Sequence, residues 1–89
     1  MNIPFIDLKT QYQKIESKVK ARIDKVLNHG AYVMGPEVSE LEQKLSQYVN
    51  TDYALACSSG TDALILALMA LDIGPGDAVL TTPFTFFAT

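Results

Sequence analysis

Residues Ser58, Ser59, Gly60, Thr61 and Asp62 combine three hydroxyls, a glycine and a carboxylate in one short polar turn. Before the turn lies an apolar run, residues 53–58. After it come nine apolar residues, 63–71, rich in Ala, Leu and Met, which are good helix formers. The stretch therefore reads as strand, tight turn and buried helix. A helix that starts this way points unpaired backbone N–H groups at whatever lies above the turn. Together with the positive end of the helix dipole, these groups make an anion site. Gly60 lets a ligand approach the backbone, and Ser58, Ser59 and Thr61 add hydroxyl donors. A phosphate is the expected ligand. The plainer alternative is a capping box, in which Ser59 and Asp62 satisfy each other's backbone donors. The Asp62 carboxylate also argues against an anion, unless it turns away.

The rest of the composition limits what can surround that turn. All seven Lys and Arg residues lie between Lys9 and Lys44. After residue 50 there are four acids (Asp52, Asp62, Asp72, Asp77) and no cation. An anion bound in the second half must be held by backbone N–H groups, by hydroxyls or from elsewhere. The net charge of −3 argues against a nucleic-acid partner. The 89 residues suit one small domain, and 48% of them are hydrophobic, a globular composition. No apolar run approaches the ~20 residues of a membrane span. The start lacks the pattern of a signal peptide, so a cytoplasmic protein without a membrane partner is expected. The single Cys57 suits a reducing compartment and reads as a small buried hydrophobe rather than a nucleophile.

Two helices are expected ahead of the turn. Tyr12, Ile15, Val19, Ile23 and Val26/Leu27 recur at spacings of three and four, one apolar face of about five turns. Asp7 or Thr10 can cap this helix, and Gly30 is a left-handed stop after Asn28 and His29. The charges on its other faces read as solvated surface. His29, the only histidine, suits the helix C-terminus and has no metal-ligand cluster around it. Residues 31–34 form an extended link. Gly35 and Pro36 then open a second helix, with Pro36 at its first position and Val38, Leu41, Leu45, Tyr48 and Val49 on its apolar face. Residues 50–52 are a turn. Beyond residue 72, Gly74, Pro75, Gly76 and Asp77 make another turn, and residues 78–82 read as a second strand. Phe84, Phe86 and Phe87 follow; they either line a pocket or fill a core. The second half thus reads β-α-β, and the chain reads as the beginning of a larger α/β protein.

Five motifs stand in order and in register: Pro4-Phe5-Ile6-Asp7-Leu8, Gly35-Pro36-Glu37-Val38, Ser59-Gly60-Thr61-Asp62-Ala63-Leu64, Gly74-Pro75-Gly76-Asp77 and Thr82-Pro83-Phe84-Thr85-Phe86. Together they resemble the N-terminal part of the DegT/StrS family of nucleotide-sugar aminotransferases. The nearest branch aminates UDP-linked 3-keto-N-acetylhexosaminuronic acids for surface polysaccharides. The resemblance implies the large domain of the aspartate-aminotransferase fold (PLP fold type I). Residues 1–52 would be an N-terminal helical segment, and residues 53–89 the start of the domain that binds pyridoxal 5'-phosphate. It implies that Gly60, Thr61 and Asp62 hold the cofactor phosphate and that Phe86 stacks on its ring. Tyr32, Met34 and Gly35 would lie near the substrate sugar.

The partners implied are a nucleotide-sugar and an amino donor, expected to be glutamate, in a homodimeric parent. The family's Schiff-base lysine matches none of the six lysines here, so no catalytic acid, base or nucleophile is expected among these residues. Two other readings remain open at this point. One is a dehydratase relative, in which histidine replaces that lysine. The other is a non-catalytic truncation or interaction module.

Overall fold

A computed structural model describes residues 1–89 as three helices: α1 (Leu8–His29), α2 (Pro36–Val49) and α3 (Gly60–Ala70). Their ends follow the capping chemistry of the sequence. Asp7 caps α1: its Oδ1 accepts from the Thr10 N–H at 3.0 Å, and its Oδ2 from the Thr10 hydroxyl at 2.6 Å. Those two bonds hold the Asp7 carboxyl below its ordinary range, the hydroxyl contributing most. Gly30 ends α1 in the left-handed region, φ 68°, and donates its N–H to the Val26 carbonyl. Pro36 occupies the start of α2, and Asn50 ends it at φ 55°. The turn at Gly74 closes through the Asp77 N–H to the Gly74 carbonyl at 3.0 Å, with Gly76 at φ 95°. Asp77 Oδ2 accepts from the Gly74 N–H at 2.8 Å.

The expected β-α-β unit is absent. Residues 53–58 and 78–82 carry no strand, and the chain is helical rather than α/β. The reason is that a strand exists only through the ladder of a neighbour. Residues 53–58 and 78–82 do not pair with each other, and no other segment pairs with either. Neither the fold class nor an aspartate-aminotransferase-like sheet is therefore present in this structure.

No hydrophobic residue is buried; the one buried residue is Gly35. Cys57 is exposed, contrary to its apolar surroundings in the sequence, with its Sγ 3.3 Å from the Ser59 carbonyl. The Cα radius of gyration is 18.6 Å, against about 12 Å for a compact domain of this length. No helix is long and apolar enough to cross a membrane.

Arg22 and His29 of α1 reach acids of α2. Arg22 Nη2 lies 2.6 Å from Glu40 Oε2, and Lys44 Nζ lies 2.6 Å from Glu40 Oε1. The Arg22 hydrogen bond, then that of Lys44, pulls the Glu40 carboxyl down from 4.5 to about 2. A carboxyl depressed in the folded form contributes fully above its ordinary value. Its contribution is lost as pH falls through the folded value. The Arg22–Glu40 contact should therefore weaken between pH about 4.5 and about 2, a change that Glu40→Gln removes. A carboxyl NMR titration followed with the α1–α2 contacts checks this. The pair is solvent-accessible, so added salt should weaken it too.

Candidate functional site

The polar turn starts α3 at Gly60, three residues earlier than its apolar run suggests. Ser59 is the cap: its Oγ accepts from the Asp62 N–H at 3.1 Å, and its carbonyl accepts from the Ala63 N–H at 3.0 Å. Only half of the capping box forms. The Asp62 carboxylate does not return to the Ser59 N–H but takes the Ser58 hydroxyl. The N–H groups of Gly60 and Thr61 donate to nothing in the chain, and the Thr61 hydroxyl has no partner. The space beside the Gly60 Cα is open: a Cβ there would meet nothing within 4 Å. No ion pair involves a residue beyond Lys44. The turn thus offers two free amides and one free hydroxyl at the positive end of a helix, without a cation.

Of the three expected phosphate residues, Gly60 and Thr61 present free donors. Asp62 differs, since its amide is already satisfied by Ser59. A phosphate that used this third amide would have to displace the Ser59 hydroxyl.

Phe86 lies in the last turn of the chain, where the Thr89 N–H donates to the Phe86 carbonyl at 3.1 Å. Phe86 is exposed, and its ring pairs with that of Phe87, centroids 4.3 Å apart and tilted by 43°. Phe84 and Phe87 are exposed as well, so these aromatics fill no core. The C-terminal run reaches the flank of α3, where Val79, Thr81 and Ala88 face Leu64 and Leu68 across a cleft of about 180 Å³. No hydrogen bond joins Phe86 to the turn at Gly60.

Tyr32, Met34 and Gly35 lie in the link between α1 and α2. Tyr32 and Met34 are exposed, and Met34 has φ 49°. Gly35 is pressed against the Ala31 carbonyl; a Cβ on it would come within 2.1 Å of that oxygen. The sequence reading missed a pair that brackets this link. His29 Nε2 lies 2.9 Å from Glu37 Oε1 and 3.0 Å from Oε2. His29 Nδ1 accepts from the Ala31 N–H at 3.0 Å. The hydrogen bond from His29 is the main cause that lowers the Glu37 carboxyl below its ordinary value. A histidine just before a helix-stop glycine and an acid just after a helix-start proline was the available signal. Each had an adequate explanation as a dipole partner alone.

Free amides and a free hydroxyl, with no ion pair beyond Lys44, stand at the start of an apolar helix. The chain belongs to the DegT/DnrJ/EryC1/StrS aminotransferase family, whose pattern matches residues 13–89. It is 52% identical over 87 residues to a UDP-2-acetamido-2-deoxy-3-oxo-D-glucuronate aminotransferase of Pseudomonas aeruginosa. It is 42% identical over 87 residues to a dTDP-3-amino-3,4,6-trideoxy-alpha-D-glucose transaminase of Streptomyces venezuelae. It is 38% identical over 87 residues to a UDP-N-acetyl-3-dehydro-alpha-D-glucosamine 3-aminotransferase of Acidithiobacillus ferrooxidans. These alignments cover 98% of this chain but only 23–24% of each relative. The chain thus spans about a quarter of the length of these relatives.

Proposed function

We propose that these residues are the phosphate-anchoring segment of a pyridoxal-phosphate aminotransferase that acts on a nucleotide-linked keto sugar, with glutamate as donor. The observation that carries this reading is the pair of free amides at Gly60 and Thr61, in a chain of this family. The donor set fits the phosphate of that cofactor. When bound, pyridoxal phosphate supplies the electron sink that lets an amino group pass between carbon skeletons. The chain's own part is to bind and orient. The Gly60 and Thr61 amides and the Thr61 hydroxyl fix the phosphate end. Ser58 donates to the Asp62 carboxylate, and Phe86 offers a ring face. Tyr32, Met34 and Gly35 face the sugar. The sugar-aminotransferase names of the relatives favour amine transfer over dehydration. The same reading makes the parent a cytoplasmic homodimer serving surface-polysaccharide synthesis.

The test is a titration of the full-length apoenzyme with pyridoxal phosphate. Thr61→Ala removes a hydroxyl beside a dianion. A charge-assisted hydrogen bond is worth about 1.5–3 kcal/mol, so affinity should fall about 10- to 100-fold. An unchanged affinity would place the phosphate elsewhere. In the same titration Phe86→Ala should lose affinity and Phe86→Tyr should keep most of it, because stacking needs a ring face. Equal losses in the two variants would assign Phe86 to packing.

A further inference from the structure

We infer that His29 and Glu37 form a positioning pair for the nucleotide-sugar, locking the 30–35 link so that Tyr32 and Met34 stand ready for the substrate. This rests on the reading that those residues face the sugar.

The geometry supports a lock rather than two separate helix ends. The Ala31 N–H donates to His29 Nδ1, so that nitrogen carries no proton. Nε2 then bears the ring hydrogen and donates it to the Glu37 carboxylate. One neutral imidazole therefore holds the start of the link on one side and the first turn of α2 on the other. This is the most enclosed of the close contacts to a carboxylate, its side chains 27% and 24% accessible. A second closure lies between Gly35 and the Ala31 carbonyl, where no side chain fits. Between these closures Met34 holds a left-handed φ of 49°, which a non-glycine residue keeps only where its surroundings fix it. The Tyr32, Val33 and Met34 side chains stay exposed and carry no hydrogen bond. A pinned backbone that presents unpaired side chains is a preorganised contact surface. Tyr32 brings a hydroxyl and a ring face, which suit the hydroxyls and the base of a nucleotide-sugar.

The experiment uses the full-length parent with its nucleotide-sugar and amino donor. His29→Leu and Glu37→Leu should each raise KM for the nucleotide-sugar about tenfold, with kcat and the donor KM within about twofold. The double variant should be no worse than either single one, as expected of a coupled pair. Glu37→Gln still accepts from the Nε2–H and should stay within about twofold of the parent. Exchange of the Ala31 amide hydrogen should quicken in His29→Leu. If His29→Leu does not fold, His29→Asn reads the same KM. Asn keeps an acceptor for the Ala31 N–H but cannot span to Glu37. An unchanged sugar KM in these variants overturns the pair's role, and so does a uniform loss of kcat, both KM values and Tm. A parent that transfers no amine to any nucleotide-linked keto sugar overturns the functional reading and this inference with it. Normal turnover with an unaltered sugar KM overturns the inference alone.

Discussion

Expressed by itself, the 89-residue chain should show helical far-UV circular dichroism, no near-UV signal and no cooperative thermal transition. It should not transaminate. Folding must offset roughly 1–2 kcal/mol of backbone entropy for each residue fixed, and the main offset is burial of apolar surface. Here no hydrophobic side chain is buried. Leu64, Ile65, Leu66 and Leu68 on α3 are all exposed, and they spread around the helix rather than along one stripe. A helix apolar on every side needs cover on every side. The 22 residues of α1 can persist on local bonds, but α3 has only 11, below the ~12–15 at which an isolated helix becomes marginal. Exposed apolar surface of this kind promotes association. The lysines, moreover, lie only on α1 and α2, and none is on α3 or in the turn at Gly60. Scattering and calorimetry on the purified chain check the prediction. A compact monomer with a sharp calorimetric peak would refute it, as would turnover abolished by mutating one of these lysines.

The second large effect concerns Gly35→Ala in the full-length parent. The new methyl group would sit 2.1 Å from the Ala31 carbonyl oxygen, well inside contact distance. Because the obstacle is backbone, it cannot swing aside as a flexible side chain would. Overpacking costs about 1–3 kcal/mol, and a backbone clash belongs at the upper end. The α1–α2 link must open to relieve it, and the His29–Glu37 bonds should lengthen or break. Thermal denaturation should show a lower Tm, and the His29 ring resonances should shift. Gly30→Ala is the useful contrast. Its φ of 68° penalises a side chain, but nothing lies within 4 Å of the new atom. Only the left-handed penalty of roughly 1–2 kcal/mol applies, with no opening of the link. Equal effects of the two substitutions on the His29 signals would show that the Ala31 contact is not what constrains the link.

The helices were legible in the sequence because their signals are local. Asp7, Gly30, Pro36 and Asn50 set the ends of α1 and α2 by capping chemistry that needs no tertiary context. The polar turn was legible for the same reason, although α3 begins within it, at Gly60, rather than at Ala63. Strands were not legible. The apolar runs at 53–58 and 78–82 have a composition that suits a sheet, but a ladder requires a neighbour, and these residues have none. The links between helices were hidden too. Arg22 with Glu40 and His29 with Glu37 depend on how α1 and α2 cross, which side-chain spacing along one helix does not encode. Asp62 was legible only in part: its spacing from Ser59 signalled a capping box, while its carboxylate went to Ser58.

The absence of any cation around α3 has a practical consequence. Trypsin cleaves after lysine and arginine, and the last such residue is Lys44. Everything from Leu45 to Thr89 therefore leaves a digest as one uncut stretch, carrying the turn at Gly60 and Phe86 together. A label on either residue would have the same tryptic peptide mass, so that digest cannot tell phosphate-end contacts from ring contacts. Cleavage at aspartate can, because Asp62, Asp72 and Asp77 fall between the two. Mapping of covalently trapped ligand on the parent protein should be designed around those three acids.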